Sequence, residues 1–353
     1  MSHSTTTGRQ SGPVQEAAPG RARGRLLRAI AWMRVAGPAR WAVMLGALAL
    51  VVRLPLLFDR YSAASVPDAV GYLLIADDIA HGRGLDRIAG GLLRTPGYPA
   101  FIALMDVIPG RREDAVIVAQ HLIGVALCVG ALLLAWRWFG RGPAIVAALM
   151  IAIGPQLVSV EHDVLTDFLF GVAAFAGTAA LAECVWRRRA PLALLALAGL
   201  LFGVATEIRP TGQVLVLAAP VVLPAATRDI RATLRGTAVV TATMALLVVP
   251  YVIRNQVRHG APVLSIIGME ALFQRVFDQD HLPVVTPGAD ADVARRIYAK
   301  SAAAESSIVT THVFDVYTAL LKRGHSDYDV ARLEAGMALD TIKAHPASRR
   351  ATS

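Results

Sequence analysis

Apolar residues in this chain are grouped in long runs that short polar connections separate. A helix needs roughly 20 apolar residues to cross the hydrocarbon core of a bilayer, with about 17 as a lower limit. Seven runs reach or approach that length, and the fifth and sixth are short and flanked by proline. They lie at approximately 41–58, 115–136, 143–160, 168–186, 191–206, 212–226 and 237–253. The pattern predicts an all-α polytopic membrane protein with about seven transmembrane helices.

The connections between these runs predict the orientation. With the N-terminus in the cytoplasm, the cytoplasmic connections are Arg137–Arg141, Arg187–Arg189 and Arg228–Arg235, and each is short and rich in arginine. Cytoplasmic loops carry an excess of Lys and Arg, so this orientation agrees with the charge pattern. The segments then predicted to lie on the outer face of the cytoplasmic membrane are 59–114, 161–167, 207–211 and 254 onward.

The same division predicts three regions. Residues 1–40 form a disordered basic cytoplasmic tail, whose arginines act either as an orientation signal alone or also as contacts to anionic membrane lipids. Residues 41–253 form the seven-helix membrane module, in which the first outer loop, 59–114, carries juxtamembrane helices. Residues 254–353 form an outer-face region of helices and loops, with an amphipathic helical pattern around 329–344.

Composition agrees with a membrane protein and argues against other classes. Of the 353 residues, 55% are hydrophobic, and the mean hydropathy is +0.52, too apolar for an ordinary soluble domain. Lys and Arg outnumber Asp and Glu by 35 to 26, which in a membrane protein is first a topology signal. No aromatic-basic pattern or zinc-type cluster indicates a nucleic-acid partner. Cys128 and Cys184 lie in apolar segments, which argues against a disulfide framework.

An acidic residue begins the first helix predicted in the outer loop. The stretch PDAVGYLLIADDIAHGRGL predicts a helix of about 15 residues that lies on the membrane surface, bounded by Pro67 and by Gly82 and Gly84. Asp68 and Tyr72 are four positions apart and therefore share a face. Asp68 is either a helix N-cap, where a carboxylate is common, or a functional acid of the loop.

A second acidic cluster, EHDVLTD, lies between the third and fourth predicted spans. Glu161, His162 and Asp163 are weak candidates for holding a divalent metal. Asp167 enters the fourth helix, where helix capping and pairing with the helix dipole are the simpler interpretation.

Three arginines fall on the outer face, where the topology predicts few. Arg94, Arg209 and Arg254 each stand beside Pro or Asn, in LLRTPGYPAF, TEIRPTG and PYVIRNQ. Snorkelling to the lipid headgroups is the simple interpretation of a single arginine, and it is favoured for Arg53, near the outer end of the first span. Three such exceptions together with carboxylates predict a site. The planar guanidinium stays charged and can donate two hydrogen bonds at once to a phosphate.

The turn after Arg94 predicts a fixed position for that charge. Two prolines restrict φ in Pro96-Gly97-Tyr98-Pro99, and the glycine permits a close backbone approach. The apolar piece 97–108 has only about 12 residues, so it is predicted to be a juxtamembrane or re-entrant helix. The alternative is a hydrophobic hairpin with a snorkelling arginine.

In order and spacing, several stretches resemble the GT-C superfamily of membrane glycosyltransferases. They are PDAVGYLLIADDIAHGRGL, LLRTPGYPAFIALM, VLTDFLF, IRPTG and PYVIRNQVRHGAPV. The nearest group contains protein O-mannosyltransferases and lipid A aminoarabinose transferases, in its bacterial mannosyltransferase-like branch. The resemblance covers about Arg53 to Phe273. It implies an enzyme that passes a sugar from a polyprenyl-phosphate carrier to an acceptor on the outer face, with inversion and without a nucleotide.

The resemblance also implies roles for individual residues. Asp68 matches the first-loop acid that serves as general base, and Arg94 matches a basic residue that contacts the lipid phosphate. Arg209 and Arg254 match basic positions that could share that phosphate. Positions that shape the site are Tyr72, Tyr98, Asp167 and Asn255.

Departures from the family pattern keep other interpretations open. Leu93 stands where aminoarabinose transferases have an acid, and Asp68-Ala69 stands where the mannosyltransferases have an Asp-Glu pair, which puts a bound metal in doubt. Relatives usually continue with more membrane helices after the outer region, so the chain is expected to be truncated or to need a partner subunit. The alternatives are a non-catalytic scaffold or subunit of a glycosyltransferase complex and, less favoured, a transporter.

Overall fold

The computed structural model describes residues 37–58, 67–108, 110–303 and 312–346. Within these residues the secondary structure is helical and no strand occurs, which confirms the predicted all-α class. Most of the predicted tail, 1–40, lies outside the described residues.

The seven predicted spans all coincide with helical segments. Five are long and apolar enough to cross a membrane: Pro38–Leu57, Arg112–Phe139, Thr166–Trp186, Pro210–Thr227 and Ile230–His259. The pair Arg141–Ile153 and Pro155–Glu161 bends by 51° and would be a sixth span if counted as one. The remaining helix, Leu192–Ile208, is apolar but shorter. The described part of the chain therefore folds as a multi-pass membrane protein.

Sequence explains the two irregular spans. Pro155 follows Gly154 directly, and a proline inside a helix removes a backbone hydrogen bond and bends it. Leu192–Ile208 lies between Pro191 and Pro210, which limit it to 17 residues, or about 26 Å of helix. It packs closely on Ile230–His259, where a Cβ added to Gly199 would lie 2.0 Å from Thr243 Oγ1. Such small residues allow helix backbones to approach in a membrane.

One ion pair is buried among the spans. Arg53 is fully buried, and its Nε and Nη2 each lie 2.6 Å from a carboxylate oxygen of Glu161. Arg53 Nη1 also donates to the carbonyl oxygens of Ala49 and Ala152, and His121 Nδ1 lies 2.9 Å from Glu161 Oε2. The snorkelling predicted for Arg53 is therefore wrong. The bent helix brings a carboxylate within reach, and a paired arginine has no need of the headgroups.

Two groups of connections lie at opposite ends of the bundle. At one end, Arg137, Arg187 and Trp138 all donate to the carboxylate of Glu183. Asp229 caps the last span there by accepting from two backbone N–H groups. The other end, which we call the loop end, carries the segment 67–108.

Two short helices form the segment at the loop end. Pro67–Ala80 has the predicted position and nearly the predicted length, and Gly97–Leu104 is followed by a 3-10 turn, Met105–Val107. Together the 11 residues from 97 to 107 are too short to span a bilayer, in agreement with the predicted juxtamembrane helix.

Residues after the last span form a second helical core. The helices are Ile267–Gln274 with a π-turn Arg275–Gln279, Ala289–Ala303, Val313–Leu321 and Asp327–Ala344. The last confirms the amphipathic pattern around 329–344, and Ser326 caps it. This region packs against the loop end through Leu92, Ala261, Ile266 and Ala331.

Candidate functional site

Asp68 and Arg94 form an ion pair at the loop end. Asp68 lies in the first turn of Pro67–Ala80, and Arg94 precedes the helix Gly97–Leu104. Arg94 Nη2 lies 2.9 Å from Asp68 Oδ1. The Asp68 side chain is 68% exposed and the Arg94 side chain only 15%. The pair therefore joins an accessible carboxylate to a guanidinium that is largely enclosed by neighbouring residues.

Aromatic side chains support Arg94 from one side. Its guanidinium carbon lies 4.1 Å from the centre of the Tyr72 ring, a cation–π geometry. Tyr72 meets Tyr98 edge to face, with ring centres 5.1 Å apart. Tyr98 is buried and donates its hydroxyl hydrogen to Gln120 Oε1 at 3.0 Å. Tyr72 therefore contacts Arg94 directly and Tyr98 packs against Tyr72, and their role in shaping a site stays a prediction.

The backbone of the Arg94 turn is held by the last span and by the region that follows it. The carbonyl oxygen of Arg94 accepts from the Tyr251 hydroxyl at 3.3 Å. Ser265 Oγ donates to the carbonyl oxygen of Leu93 at 2.8 Å, and the Ile266 N–H donates to that of Leu92 at 2.9 Å. These contacts fix the turn to segments more than 150 residues away in the chain.

Gly97 completes the turn by a close backbone approach. A Cβ added to Gly97 would lie 2.5 Å from the carbonyl oxygen of Glu207, at the end of Leu192–Ile208. Any side chain at this position would push the turn away from that helix.

The other predicted site residues are held in neighbouring pairs. Asp167 and Arg209 form a salt bridge of their own, with both side chains partly exposed. Arg254 is paired with Asp86, which also lies 2.6 Å from Arg258 Nη1. All of these residues lie at the loop end.

Asn255 has a structural position. It is buried, and its amide nitrogen donates to the carbonyl oxygen of Val263 at 2.9 Å. Its Oδ1 accepts from Arg254 Nη1 at 2.8 Å. Asn255 therefore orients Arg254 and the loop that carries Ser265.

A cleft of about 410 Å³ opens beside the turn, which is within the range of small-ligand sites. Its lining residues are Pro96, Gly97, Ala100, Glu207, Leu247, Pro250, Tyr251 and Arg254. The lining is largely apolar, with one acid and one base among the side chains. Both carboxylate oxygens of Glu207 are buried and have no hydrogen-bond partner among the described residues.

A buried acid lies near enough to Arg94 to interact with its charge. Glu270, in Ile267–Gln274, is 7% exposed. Burial raises the pKa of Glu270 to about 7, while the positive charge of Arg94 opposes that rise. Glu270 is thus part of the electrostatic surroundings of Arg94.

Three acids of this site were given no role from the sequence. Asp86 lies in a glycine-rich loop without periodicity, and its partner Arg254 is 168 residues downstream. Glu270 belongs to the helix Ile267–Gln274, which was not distinguished within the predicted region of helices and loops. Glu207 stands beside Arg209 in TEIRPTG, and this proximity to a predicted arginine is the signal that could have identified it.

The weak metal candidates do not assemble into a metal-binding group. Both oxygens of Glu161 are engaged by Arg53, and His162 Nδ1 lies 3.3 Å from His121 Nε2. Across the described ranges, no three His, Cys, Asp or Glu side chains are arranged to hold a metal ion.

Part of the chain is similar to a known protein family. Residues 94–253 match the family model of dolichyl-phosphate-mannose-protein mannosyltransferase. The matched range begins at Arg94 and contains Tyr98, Asp167 and Arg209. Neither the curated proteins nor the solved structures contain a match to the chain. Over this range the chain is similar to mannosyltransferases of the GT-C glycosyltransferase type, and its helical membrane fold agrees with that similarity.

Proposed function

We propose that this protein transfers a sugar from a polyprenyl-phosphate carrier to an acceptor hydroxyl on the outer face of the cytoplasmic membrane. The acceptor is a lipid, a glycan or a protein. The observation that carries the proposal is the ion pair between Asp68 and Arg94. It joins a candidate base to a candidate phosphate-binding group at the edge of the membrane module.

Asp68 is the general base of the proposed reaction. Its carboxylate takes the proton of the acceptor hydroxyl while the oxygen of that hydroxyl attacks the anomeric carbon. The bond between that carbon and the phosphate oxygen breaks in the same step, so the configuration inverts and the carrier leaves as polyprenyl phosphate. A base must reach the hydroxyl directly, and the exposure of Asp68 supports this role.

Arg94 binds the carrier phosphate and stabilises the charge that develops on it as the bond breaks. Its Nε has no hydrogen-bond partner among the described residues, and Asp68 engages only its Nη2. An arriving phosphate would compete with Asp68 for the guanidinium. Donor binding would therefore release the carboxylate for its role as base.

The remaining predicted residues have supporting roles in the proposal. Arg254 lines the cleft and shares the phosphate, and Arg209 adds positive charge at the same end of the bundle. Tyr72 and Tyr98 hold Arg94, Asp167 orients Arg209, and Asn255 orients Arg254.

The test uses purified protein in lipid nanodiscs. Wild type, Asp68→Asn and Arg94→Ala are mixed separately with radiolabelled polyprenyl-phosphate mannose, glucose and arabinose, and both carrier binding and sugar release are measured. We expect wild type to bind and transfer one donor. Arg94→Ala should lose binding, and Asp68→Asn should bind but fail to turn over.

The ion pair between Asp106 and Arg112 provides matched controls. It lies in the same outer loop but outside the cleft, so Asp106→Asn and Arg112→Ala should behave as wild type. If wild type binds none of the donors, the transferase proposal is wrong and a non-catalytic scaffold is the better account. If the control variants lose activity equally, the assigned roles of Asp68 and Arg94 are wrong.

A further inference from the structure

Glu207 is an unusual side chain for the wall of an apolar cleft. Both carboxylate oxygens are buried, and neither has a hydrogen-bond partner among the described residues. Burying a charged or polar group without a partner is costly, and such groups in native proteins are nearly always paired. An unpaired acid at the wall of a cleft therefore points to a ligand that supplies the missing donors.

The position of Glu207 relates it to the proposed phosphate site. It lines the cleft together with Arg254, and its backbone contacts the turn that follows Arg94 at Gly97. The cleft thus has a positively charged hydrogen-bond donor, Arg254, on one wall and a hydrogen-bond acceptor, Glu207, on another. A sugar phosphate has the same division, because its phosphate accepts hydrogen bonds and its ring hydroxyls donate them.

From this arrangement we infer that Glu207 binds hydroxyl groups of the transferred sugar in the cleft between Gly97–Leu104 and Ile230–His259. The inference rests on the proposed function and extends it by naming a residue that determines donor specificity. With two oxygens without partners, the carboxylate can accept from two hydroxyls of one ring. The sugar is held there while its anomeric carbon stays at the phosphate.

Donors that lack single hydroxyls test the inference. Wild type, Glu207→Gln and Glu207→Ala in nanodiscs are compared on the donor that wild type transfers, beginning with polyprenyl-phosphate mannose, and on its monodeoxy analogues. We expect wild type to lose roughly 10- to 100-fold in kcat/KM on one or two of the analogues, the size of one hydrogen bond to a charged group. On the parent donor, kcat/KM of Glu207→Ala should be lower than that of wild type by a similar factor. On those analogues, kcat/KM of Glu207→Ala should be no lower than its own value on the parent donor.

Glu334 provides a matched control for the carboxylate. It is fully buried, and its two carboxylate oxygens also have no partner in the described part of the chain, but it does not line the cleft. Glu334→Gln and Glu207→Gln should both raise the thermal midpoint of the ligand-free protein. Only Glu207→Gln should weaken the distinction between parent and deoxy donors, because the amide keeps one of the two acceptor oxygens and loses the charge. A merely structural role would not produce that difference.

The outcomes separate this inference from the proposed function. If wild type transfers no donor, the transferase function is wrong and the role of Glu207 is wrong with it. Suppose that wild type transfers the donor, and that each deoxy analogue lowers kcat/KM of Glu207→Ala by the same factor as it lowers that of wild type. The function then stands and the role of Glu207 is wrong. Transfer of the parent donor by Glu207→Ala at the wild-type rate would also overturn that role.

Discussion

Glu334 shows how one buried acid makes the folding stability of the protein depend on pH. It lies in the core of the C-terminal helices, and burial raises its pKa from 4.5 to about 9, with the charges of Glu270 and Asp278 adding to the rise. The unfolded chain releases this proton near pH 4.5, whereas the folded chain keeps it up to about pH 9. Stability contributed by this group is therefore greatest at low pH and falls as pH rises between those values. The slope is at most about 1.4 kcal/mol per pH unit.

We predict that Glu334→Gln stabilises the protein increasingly as pH rises. The variant lacks the titrating proton, so the difference in thermal midpoint between it and wild type should widen from pH 5 to pH 9. The measurement is thermal unfolding in nanodiscs at several pH values. Other titrating groups cancel in the difference between the two proteins. A constant difference across this range would contradict the raised pKa.

At the same scale, the sequence predicted the residues that carry local signals. Asp68 and Arg94 were predicted because an acid at a helix start and an arginine before Pro-Gly-Tyr-Pro stand out in a membrane protein, and Tyr72 because it shares a helix face with Asp68. Their roles stay predictions. The pairing of Asp68 with Arg94 required the fold. Glu207 stands beside a predicted arginine, but the burial of its carboxylate without a partner cannot be read from spacing.

The bent pair Arg141–Ile153 and Pro155–Glu161 shows how an element positions a charge. The second helix of the pair ends at Glu161, whose carboxylate forms a salt bridge with Arg53 of the first span. Arg53 alone looked like a residue for the headgroups, since its partner is 108 residues away. The predicted segments 143–160 and 191–206 were correct as helices. Their bend and short length follow from the prolines, which limit regular helix.

We predict that this buried pair is costly to break. Arg53→Met or Glu161→Met alone should destabilise the protein by about 3–5 kcal/mol, because each leaves a buried charge without its main partner of opposite sign. His121 still contacts Glu161 after Arg53→Met, so that variant should lie at the lower end of the range. The double variant Arg53→Met/Glu161→Met should recover most of the loss. The measurement is the yield of folded protein and its thermal midpoint in nanodiscs.

The surface pair of Asp106 and Arg112 is the comparison for this cycle. Both side chains are partly exposed, so Arg112→Met should cost at most about 1 kcal/mol. Equal losses for Arg53→Met and Arg112→Met would show that burial does not determine the cost. A double variant as unstable as the sum of the singles would show that the pair is not coupled.

Over the whole molecule, the charged residues divide between two ends of the helical bundle. The arginine-rich connections gather around Glu183 at one end, whereas the paired acids and arginines of the candidate site lie at the loop end. The order of the apolar helical segments could be predicted from hydropathy, whereas five of the seven predicted spans, or six with the bent pair, are long enough to cross a membrane. The packing of the C-terminal helices against the Arg94 turn could not, because those contacts join distant segments through Leu92 and Ala331.

The charge division predicts the orientation of the protein in its membrane. The arginine-rich end should face the cytoplasm and the loop end the outside. Native Cys128 and Cys184 are buried, so single cysteines introduced at exposed positions report on access. In spheroplasts, an impermeant maleimide should label Arg111→Cys and Gln279→Cys. It should label Arg189→Cys only after permeabilisation.

The reverse pattern would place Asp68 and Arg94 in the cytoplasm and exclude a donor presented on the outer face. If Arg111→Cys and Arg189→Cys were labelled from the same side, an even number of spans would lie between them. That result would contradict the helix order of this structure.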